Sequence, residues 1–171
     1  MYYLIKRISY NIDKNLLKIK RHNIGRQLLK ILLKKHYNID YNNIEIITNN
    51  YGKPYIKNMN IYFSISYSYK YVICIISNKE IGIDIEKIRK TNINTKKIFG
   101  TKLEQDYIDN YEKLFKIFTL KEAYFKMLGT DLRKIKDIEF KMNNNIICSD
   151  DSVNISQIKY NNYIISICKK K

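Results

Sequence analysis

The chain has 171 residues, 45% of them hydrophobic, so it can bury a core and is not a disordered protein. Its 32 basic and 16 acidic residues leave a net charge of +16, which favours an anionic partner such as a nucleic acid, a phosphorylated ligand or an acidic protein. No apolar run approaches the roughly 18 residues of a membrane span, and the three cysteines form no CxxC pair. We therefore expect a cytoplasmic protein with reduced thiols.

The first half of the chain predicts five strands and one long helix. "MYYLIKRIS" and "IEIIT" read as strands on either side of a helix that begins at Leu16, and "NNYGKP" predicts a turn. The strands "IYFSISYS", "YVICIIS" and "IGIDIE" follow across gaps of two or three residues, which favour antiparallel hairpins. The predicted apolar stripe of the helix consists of Leu17, Ile24, Leu28, Ile31 and Leu32.

The second half predicts a helical region followed by strands. Helical periodicity runs from about Thr95 to Leu128 and stops at "GTDL"; the strands are "IKDIEFKM", "NIICS", "VNISQIKY" and "YIISICK". The two strand sets end alike, in "YKYVICIIS" and "NNYIISICK". These patterns predict an α+β fold of two pseudo-repeated lobes, each a small, mostly antiparallel sheet packed with helix, spanning residues 1–88 and 89–171.

The stretch "IGIDIEKIRK" carries two acids on one face of a predicted strand. Ile81, Ile83 and Ile85 face one way, whereas Asp84 and Glu86 face the other. Side chains two apart on a strand lie only about 6–7 Å from each other. The pattern fits either an amphipathic strand with a solvated face or a site for a divalent cation.

The stretch "FTLKEAYFKMLG" places Phe118, Glu122 and Lys126 four residues apart, on one face of the predicted helix. Taken alone, a Glu and a Lys four apart are a common surface pair that stabilises a helix by only a few tenths of a kcal/mol.

Together the two stretches resemble the signature of the phosphopantetheinyl transferases, of the two-lobed type that activates peptide, polyketide and often fatty-acid synthases. The strand motif is "GIDIE" and the helix motif "KEAYFK". Further matches occur in the family's order: "RQLLKILL" with Arg26, "YGKPYI" with Lys53 and Pro54, "FSISYS" with Ser66, "KMLGTDL" and "YIISIC". The resemblance covers nearly the whole chain.

The chain departs from the family pattern at three positions. Tyr67 stands where the family has histidine, so a phenol replaces a group that can carry positive charge near neutral pH. Phe118 replaces a tryptophan, and Asp131 stands where a glycine is common. The segment before Arg26 is short, which leaves Lys14 as the candidate for an early coenzyme-binding basic residue.

The resemblance implies that coenzyme A donates its phosphopantetheine arm to a serine hydroxyl of an acyl or peptidyl carrier protein, releasing adenosine 3',5'-bisphosphate. It implies that Asp84, Glu86 and Glu122 hold Mg²⁺, with Mn²⁺ also acceptable to such oxygen ligands. Glu122 would be the general base and Lys126 would stabilise charge. The implied active site lies at the lobe interface, and the implied coenzyme-binding residues are Arg26, Lys53, Pro54, Ser66, Tyr67, Lys121 and Lys14.

The expected protein partner is a small acidic carrier, which the basic surface would attract, and the expected state is a monomer that binds neither nucleic acid nor membrane. Two alternatives remain open. The charge and the 16 tyrosines also suit a nucleic-acid-binding protein without catalysis. Alternatively, Tyr67 and Phe118 mark a member of the same fold that has lost activity.

Overall fold

The computed structural model describes residues 1–9, 13–143 and 145–171 of the chain. The first part contains β1 (Tyr2–Arg7), α1 (Lys14–Tyr37), β2 (Ile46–Thr48), β3 (Pro54–Ile56), β4 (Tyr62–Ser68) and β5 (Tyr71–Ser77). The second contains β6 (Ile81–Lys87), α2 (Lys96–Phe99), α3 (Lys102–Tyr107), α4 (Tyr111–Leu128), β7 (Phe140–Met142), β8 (Ile146–Cys148), β9 (Val153–Tyr160) and β10 (Tyr163–Lys170). None of the helices in the described ranges combines the length and apolar composition needed to cross a bilayer.

The strand order shows an internal repeat. The first sheet has the order β1-β5-β4 and the second has the order β6-β10-β9, all pairs being antiparallel. In each half a long helix follows the first strand, and a two-stranded ribbon (β2-β3, then β7-β8) precedes the last two strands. We call the described chain up to Ser77 the first lobe and the chain from Ile81 onward the second lobe. The predicted α+β fold with two repeated lobes is confirmed.

The core consists of three apolar layers, one within each lobe and one between the two sheets. Helix α1 covers one face of the first sheet, including Val72 and Cys74, and α4 covers one face of the second sheet, including Ile164 and Cys168. The remaining faces of the two sheets meet through isoleucines such as Ile73 and the fully buried residues of β6. Edge strand β4 of the first sheet lies beside edge strand β6 of the second.

Local capping explains why the predicted helical region divides. Thr101 accepts a hydrogen bond from the Glu104 amide while the Glu104 carboxylate accepts one from the Thr101 amide, so a new helix, α3, begins here. Asn110 caps the start of α4, and Gly129 ends it in the left-handed conformation at φ 63°. The periodicity from Thr95 to Leu128 thus corresponds to three helices, not one.

Several other expectations differ from the structure. Strand β6 pairs with β10, so no β5–β6 hairpin forms and β6 belongs to the second sheet, whereas the predicted boundary after residue 88 groups this strand with the first lobe. By strand order β6 is the counterpart of β1 and opens the second lobe. On α1, Ile31 is 50% exposed, whereas Leu29 and Leu33 are buried in its place. The strand predicted over "IKDIEFKM" is reduced to β7.

Candidate active site

Strand β6 presents its two acids to helix α4. Ile81, Ile83 and Ile85 are fully buried between the sheets, so the alternation of the strand turns Asp84 and Glu86 towards the helix. Gly82 makes the close approach possible, since a Cβ at this position would lie 1.9 Å from the carbonyl oxygen of Ala123. The glycine of the "GIDIE" motif is thus a packing requirement of the site.

Helix α4 places Lys126 directly against the strand. Its Nζ lies 2.6 Å from Asp84 Oδ1 and 3.1 Å from the Ser66 Oγ of β4, so one ammonium bridges both lobes. At the end of the helix, Asn49 Nδ2 donates to the Gly129 carbonyl at 2.6 Å and Lys53 Nζ donates to the Met127 carbonyl. These contacts of the first lobe satisfy carbonyls that a helix end leaves without partners.

Two adjoining clefts meet at Glu122 and Lys126. One, of about 400 Å³, is lined by Ile65, Ser66, Tyr67, Asp84, Glu86, Phe118, Glu122 and Lys126. The other, of about 270 Å³, extends to the turn with Tyr51, Lys53 and Pro54. The structure therefore brings together the three predicted metal carboxylates, Lys126, Tyr67, Lys53 and Pro54. They lie between β4 and β6, where the lobes meet.

The electrostatics of the cleft follow from this convergence. Burial, followed by repulsion from Asp84 and Glu86, raises the pKa of the Glu122 carboxyl, although Lys126 opposes the shift. Burial alone would lower the pKa of the Lys126 ammonium, but Asp84, Glu122 and Glu86 together hold that pKa above its ordinary value. Lys126 and Arg89, which pairs with Glu86, supply two positive charges against the three acids, so the cluster has an excess of negative charge.

The donor atoms fit a hard divalent cation. Asp84 Oδ2 is buried and has no hydrogen-bond partner within the described chain, although such an atom is costly to leave unsatisfied. Glu86 Oε2 accepts hydrogen bonds from Ser68 and Arg89 at 3.0 and 2.9 Å. Among residues 1–9, 13–143 and 145–171, no three acidic, histidine or cysteine side chains form a ready-made metal cluster. The oxygens of Asp84, Glu86 and Glu122 are nevertheless the type that Mg²⁺ prefers.

Two predicted coenzyme-binding residues have other roles in the structure. Lys121 is fully buried, with its Nζ 2.7 Å from Glu104 Oε2 and bonded to the Ile135 and Ile138 carbonyls. Burial lowers the pKa of the Lys121 ammonium, although the nearby Glu104 carboxylate opposes this shift. Ser66 uses its one donor on Asp84 and its acceptor capacity on Lys126 and the Ile85 amide, and is only 4% exposed. Neither residue has a free group for a phosphate.

Two further predicted residues lie outside the clefts. Lys14 is exposed at the start of α1, and Arg26 is exposed further along, with its Nη1 3.5 Å from the Tyr41 hydroxyl. Neither is among the residues lining the two clefts. The helix presents these side chains to solvent.

Sequence reasoning missed two arginines beside the clefts. The Arg21 guanidinium lies 5.0 Å from the centre of the Tyr67 ring and donates to the Tyr69 carbonyl at 2.7 Å. Arg89 pairs with Glu86 at 2.9 Å. The signal for Arg89 was present, since it lies three residues after Glu86, whereas Arg21 is distant along the chain from Tyr67 and Tyr69.

Comparison with known proteins places the chain in a family. The family model of the 4'-phosphopantetheinyl transferase superfamily matches residues 80–168, which include β6, α4 and β10. The 4'-phosphopantetheinyl transferase gsp of Aneurinibacillus migulanus is 34% identical over 83 residues, covering 45% of this chain and 35% of the relative. The 4'-phosphopantetheinyl transferase Sfp of Bacillus subtilis strain 168 is 31% identical over 87 residues, covering 47% and 39%.

The matches therefore span well under half the length of these curated relatives. Among solved structures, the crystal structure of Thermotoga maritima holo-[acyl-carrier-protein] synthase is similar at a TM-score of 0.47 and 21% identity, covering 54% of this chain and 62% of that one. The family assignment rests on the model that matches half of the chain and on the motifs that it contains. The chain belongs to the 4'-phosphopantetheinyl transferase superfamily.

Proposed function

We propose that this protein transfers the phosphopantetheine arm of coenzyme A to a serine of an acyl or peptidyl carrier protein. The observation that carries the proposal is the convergence of Asp84, Glu86, Glu122 and Lys126 on one cleft between the lobes. In the reaction, the serine oxygen bonds to the β-phosphorus of the coenzyme pyrophosphate. The bond from that phosphorus to the bridging oxygen breaks, and adenosine 3',5'-bisphosphate leaves.

Glu122 is the proposed general base. It lies where both clefts meet, within reach of a hydroxyl bound there. Without a bound cation, burial and neighbouring acids raise the pKa of its carboxyl. Its carboxylate would accept the serine proton as the oxygen attacks. Lys126, one helical turn away, keeps its positive charge because the same acids raise its pKa, and it would stabilise negative charge on the phosphates.

Asp84, Glu86 and Glu122 are the proposed ligands of Mg²⁺, with Mn²⁺ as an acceptable substitute. The unpartnered Oδ2 of Asp84 supports this assignment. The bound ion would offset the negative charge of the pyrophosphate and of the leaving group.

The coenzyme is proposed to lie along both clefts, over Tyr67 on one side and the turn of Lys53 and Pro54 on the other. Lys53 Nζ donates one hydrogen bond to the Met127 carbonyl and has two further N–H groups that can donate to a phosphate. The Tyr67 ring is 44% exposed and its hydroxyl can donate to a phosphate. The Arg21 guanidinium beside this ring supplies a positive charge that the phenol lacks.

The proposed protein partner is a small acidic carrier, steered by the net charge of +16 and bound less tightly as salt rises. We further propose that the protein acts as a monomer in the cytoplasm. Both lobes of the repeat lie in one chain, so the cleft between them is complete without a second copy.

The proposal is tested by incubating the protein with coenzyme A, Mg²⁺ and a panel of unmodified carriers from fatty-acid, polyketide and peptide synthesis, followed by intact-mass measurement. We expect at least one carrier to gain the mass of one phosphopantetheine arm, and chelation of Mg²⁺ to abolish the gain. A complete lack of modification across the panel, with Mg²⁺ and coenzyme A both present, would contradict the proposal.

A further inference from the structure

Strands β4 and β6 are joined by serine side chains in a regular register. They run side by side in parallel, and the amides of Ile83, Ile85 and Lys87 donate to serine hydroxyls of β4 at 3.2, 3.3 and 3.1 Å. The acceptors are Ser64, Ser66 and Ser68, each nineteen residues before its donor. Because β6 pairs its other edge with β10, these hydroxyls satisfy amides that would otherwise be buried without partners.

Two of the three serines also contact the acidic cluster. Ser66 Oγ donates to Asp84 Oδ1 at 2.7 Å, and Ser68 Oγ donates to Glu86 Oε2 at 3.0 Å. Ser64 accepts a hydrogen bond from the Ile83 amide in the same way, but within the described chain it makes no hydrogen bond to a carboxylate. Side chains on one face of a strand repeat every second residue, so the two acids of β6 each lie beside one serine hydroxyl of β4.

The contacts on Asp84 distinguish its two oxygens. Oδ1 accepts from both Ser66 Oγ and Lys126 Nζ, whereas Oδ2 is buried without a partner in the described residues. The torsion that turns a carboxylate about its last bond is broad, so packing alone fixes its plane poorly. Hydrogen bonds to one oxygen fix that plane and determine where the other oxygen lies.

We propose that Ser66 and Ser68 are positioning residues that orient Asp84 and Glu86 so that Asp84 Oδ2 and Glu86 face a divalent cation. This inference rests on the proposed metal-assisted function. It goes further in one respect, since it gives the two serines the role of orienting the carboxylates instead of binding the coenzyme. Hydrogen-bond partners of metal ligands typically change metal affinity about 10–100-fold when they are removed.

The test measures Mn²⁺ binding by calorimetry in the presence of coenzyme A, for the wild-type protein and four variants. Ser66→Ala is expected to weaken Mn²⁺ binding at least about 10-fold and Ser68→Ala by a smaller factor, because each loses a donor to a ligand. Ser66→Thr keeps the hydroxyl and should restore the affinity. Ser64→Ala is the matched control: it loses an amide contact of the same kind and should keep the wild-type affinity.

Circular dichroism establishes which variants are folded. If Ser66→Ala does not fold, the Mn²⁺ affinities of Ser68→Ala and Ser64→Ala are compared instead, and their difference tests the positioning role. Equal affinities in these two, or in Ser66→Ala and Ser64→Ala, would overturn the positioning role, as would a wild-type protein that binds no Mn²⁺. If instead the affinities differ as expected while no carrier is modified, the positioning role stands and the proposed transfer fails.

Discussion

The two lobes pack a long helix on a three-stranded sheet with the same strand order, but the two helices bury different kinds of side chain. In the first lobe, the buried side chains of α1 are all leucine or isoleucine apart from Gly25. In the second, α4 also buries Thr119 and Lys121 completely. Thr119 Oγ1 lies 2.7 Å from the Ser166 Oγ of β10, which also accepts from the Gln157 amide group of β9.

The difference explains how α4 is held in a fixed position beside the cleft between the lobes. Apolar packing tolerates small shifts of a helix, whereas a satisfied buried hydrogen bond or ion pair fixes its rotation and register. Thr119 ties α4 to the second sheet, and Lys121 ties it to Glu104 of α3. Glu122 follows directly, so these internal contacts determine that it faces the cleft.

The largest effect is expected from Glu122→Gln, which tests whether this residue of α4 takes part in the proposed transfer. The variant should lose about 10²–10⁴-fold in carrier modification, the usual contribution of a general base. The control is Glu112→Gln on the same helix, whose carboxylate pairs with Lys116 and Lys159 away from the clefts. Rates by intact mass should fall only for Glu122→Gln, and equal rates in both variants would remove Glu122 from the mechanism.

Lys121→Met tests whether buried polar contacts hold the second lobe together. It leaves the Glu104 carboxylate buried without its counter-charge, so urea denaturation should show a loss of about 3–5 kcal/mol in the free energy of unfolding. Lys116→Met, which breaks the partly exposed pair with Glu112, should cost no more than about 1 kcal/mol. Equal losses in the two variants would contradict the ion-pair explanation.

A pair of glycine substitutions compares the two helix–sheet contacts directly. Gly82→Ala forces a Cβ against the backbone of α4, which cannot yield without moving the helix, so a loss of about 1–3 kcal/mol or more is expected. Gly25→Ala meets side-chain atoms, of which the nearest is Ile65 Cγ2 at 2.8 Å, and alanine favours a helix over glycine by about 1 kcal/mol. Thermal denaturation should show a clear decrease for Gly82→Ala and a smaller change for Gly25→Ala, and the reverse order would contradict the comparison.

The smallest effect concerns pH and stability in the presence of a chelator. The pKa of Glu122 is raised on folding, so its stabilising contribution is complete at low pH and is lost as pH rises through the folded-state pKa. Glu122→Gln does not titrate. Its melting temperature should therefore equal that of the wild type below about pH 4 and exceed it increasingly at higher pH. A difference that does not depend on pH would show that the Glu122 pKa is not raised.

The sequence predicted those features whose causes are local. The alternation in "IGIDIE" correctly predicted that Ile83 is buried between the sheets and that Asp84 lies on the opposite face, because every second side chain of a strand shares one face. The division of the long helical region also had a local signal, the capping box at Thr101, which the periodicity concealed.

Features that depend on distant partners were not predictable in this way. Lys121 looks like a solvated lysine until Glu104, on another helix, is placed beside it. A three-residue gap favours a β5–β6 hairpin, but β6 takes its partner from the far end of the chain, in β10. Ser66 matched the family pattern for a coenzyme contact, and only the parallel register of β4 with β6 shows that its hydroxyl is already used.

The contacts of Asn49 and Lys53 with the end of α4 have a consequence for how the molecule can be divided. The part of the chain that carries the family's sequence pattern begins at residue 80, yet two carbonyls of its central helix find their donors before that point. A fragment trimmed to the recognisable pattern would expose that helix end. The stretch that carries the family pattern thus lacks two of the side chains on which its own central helix depends.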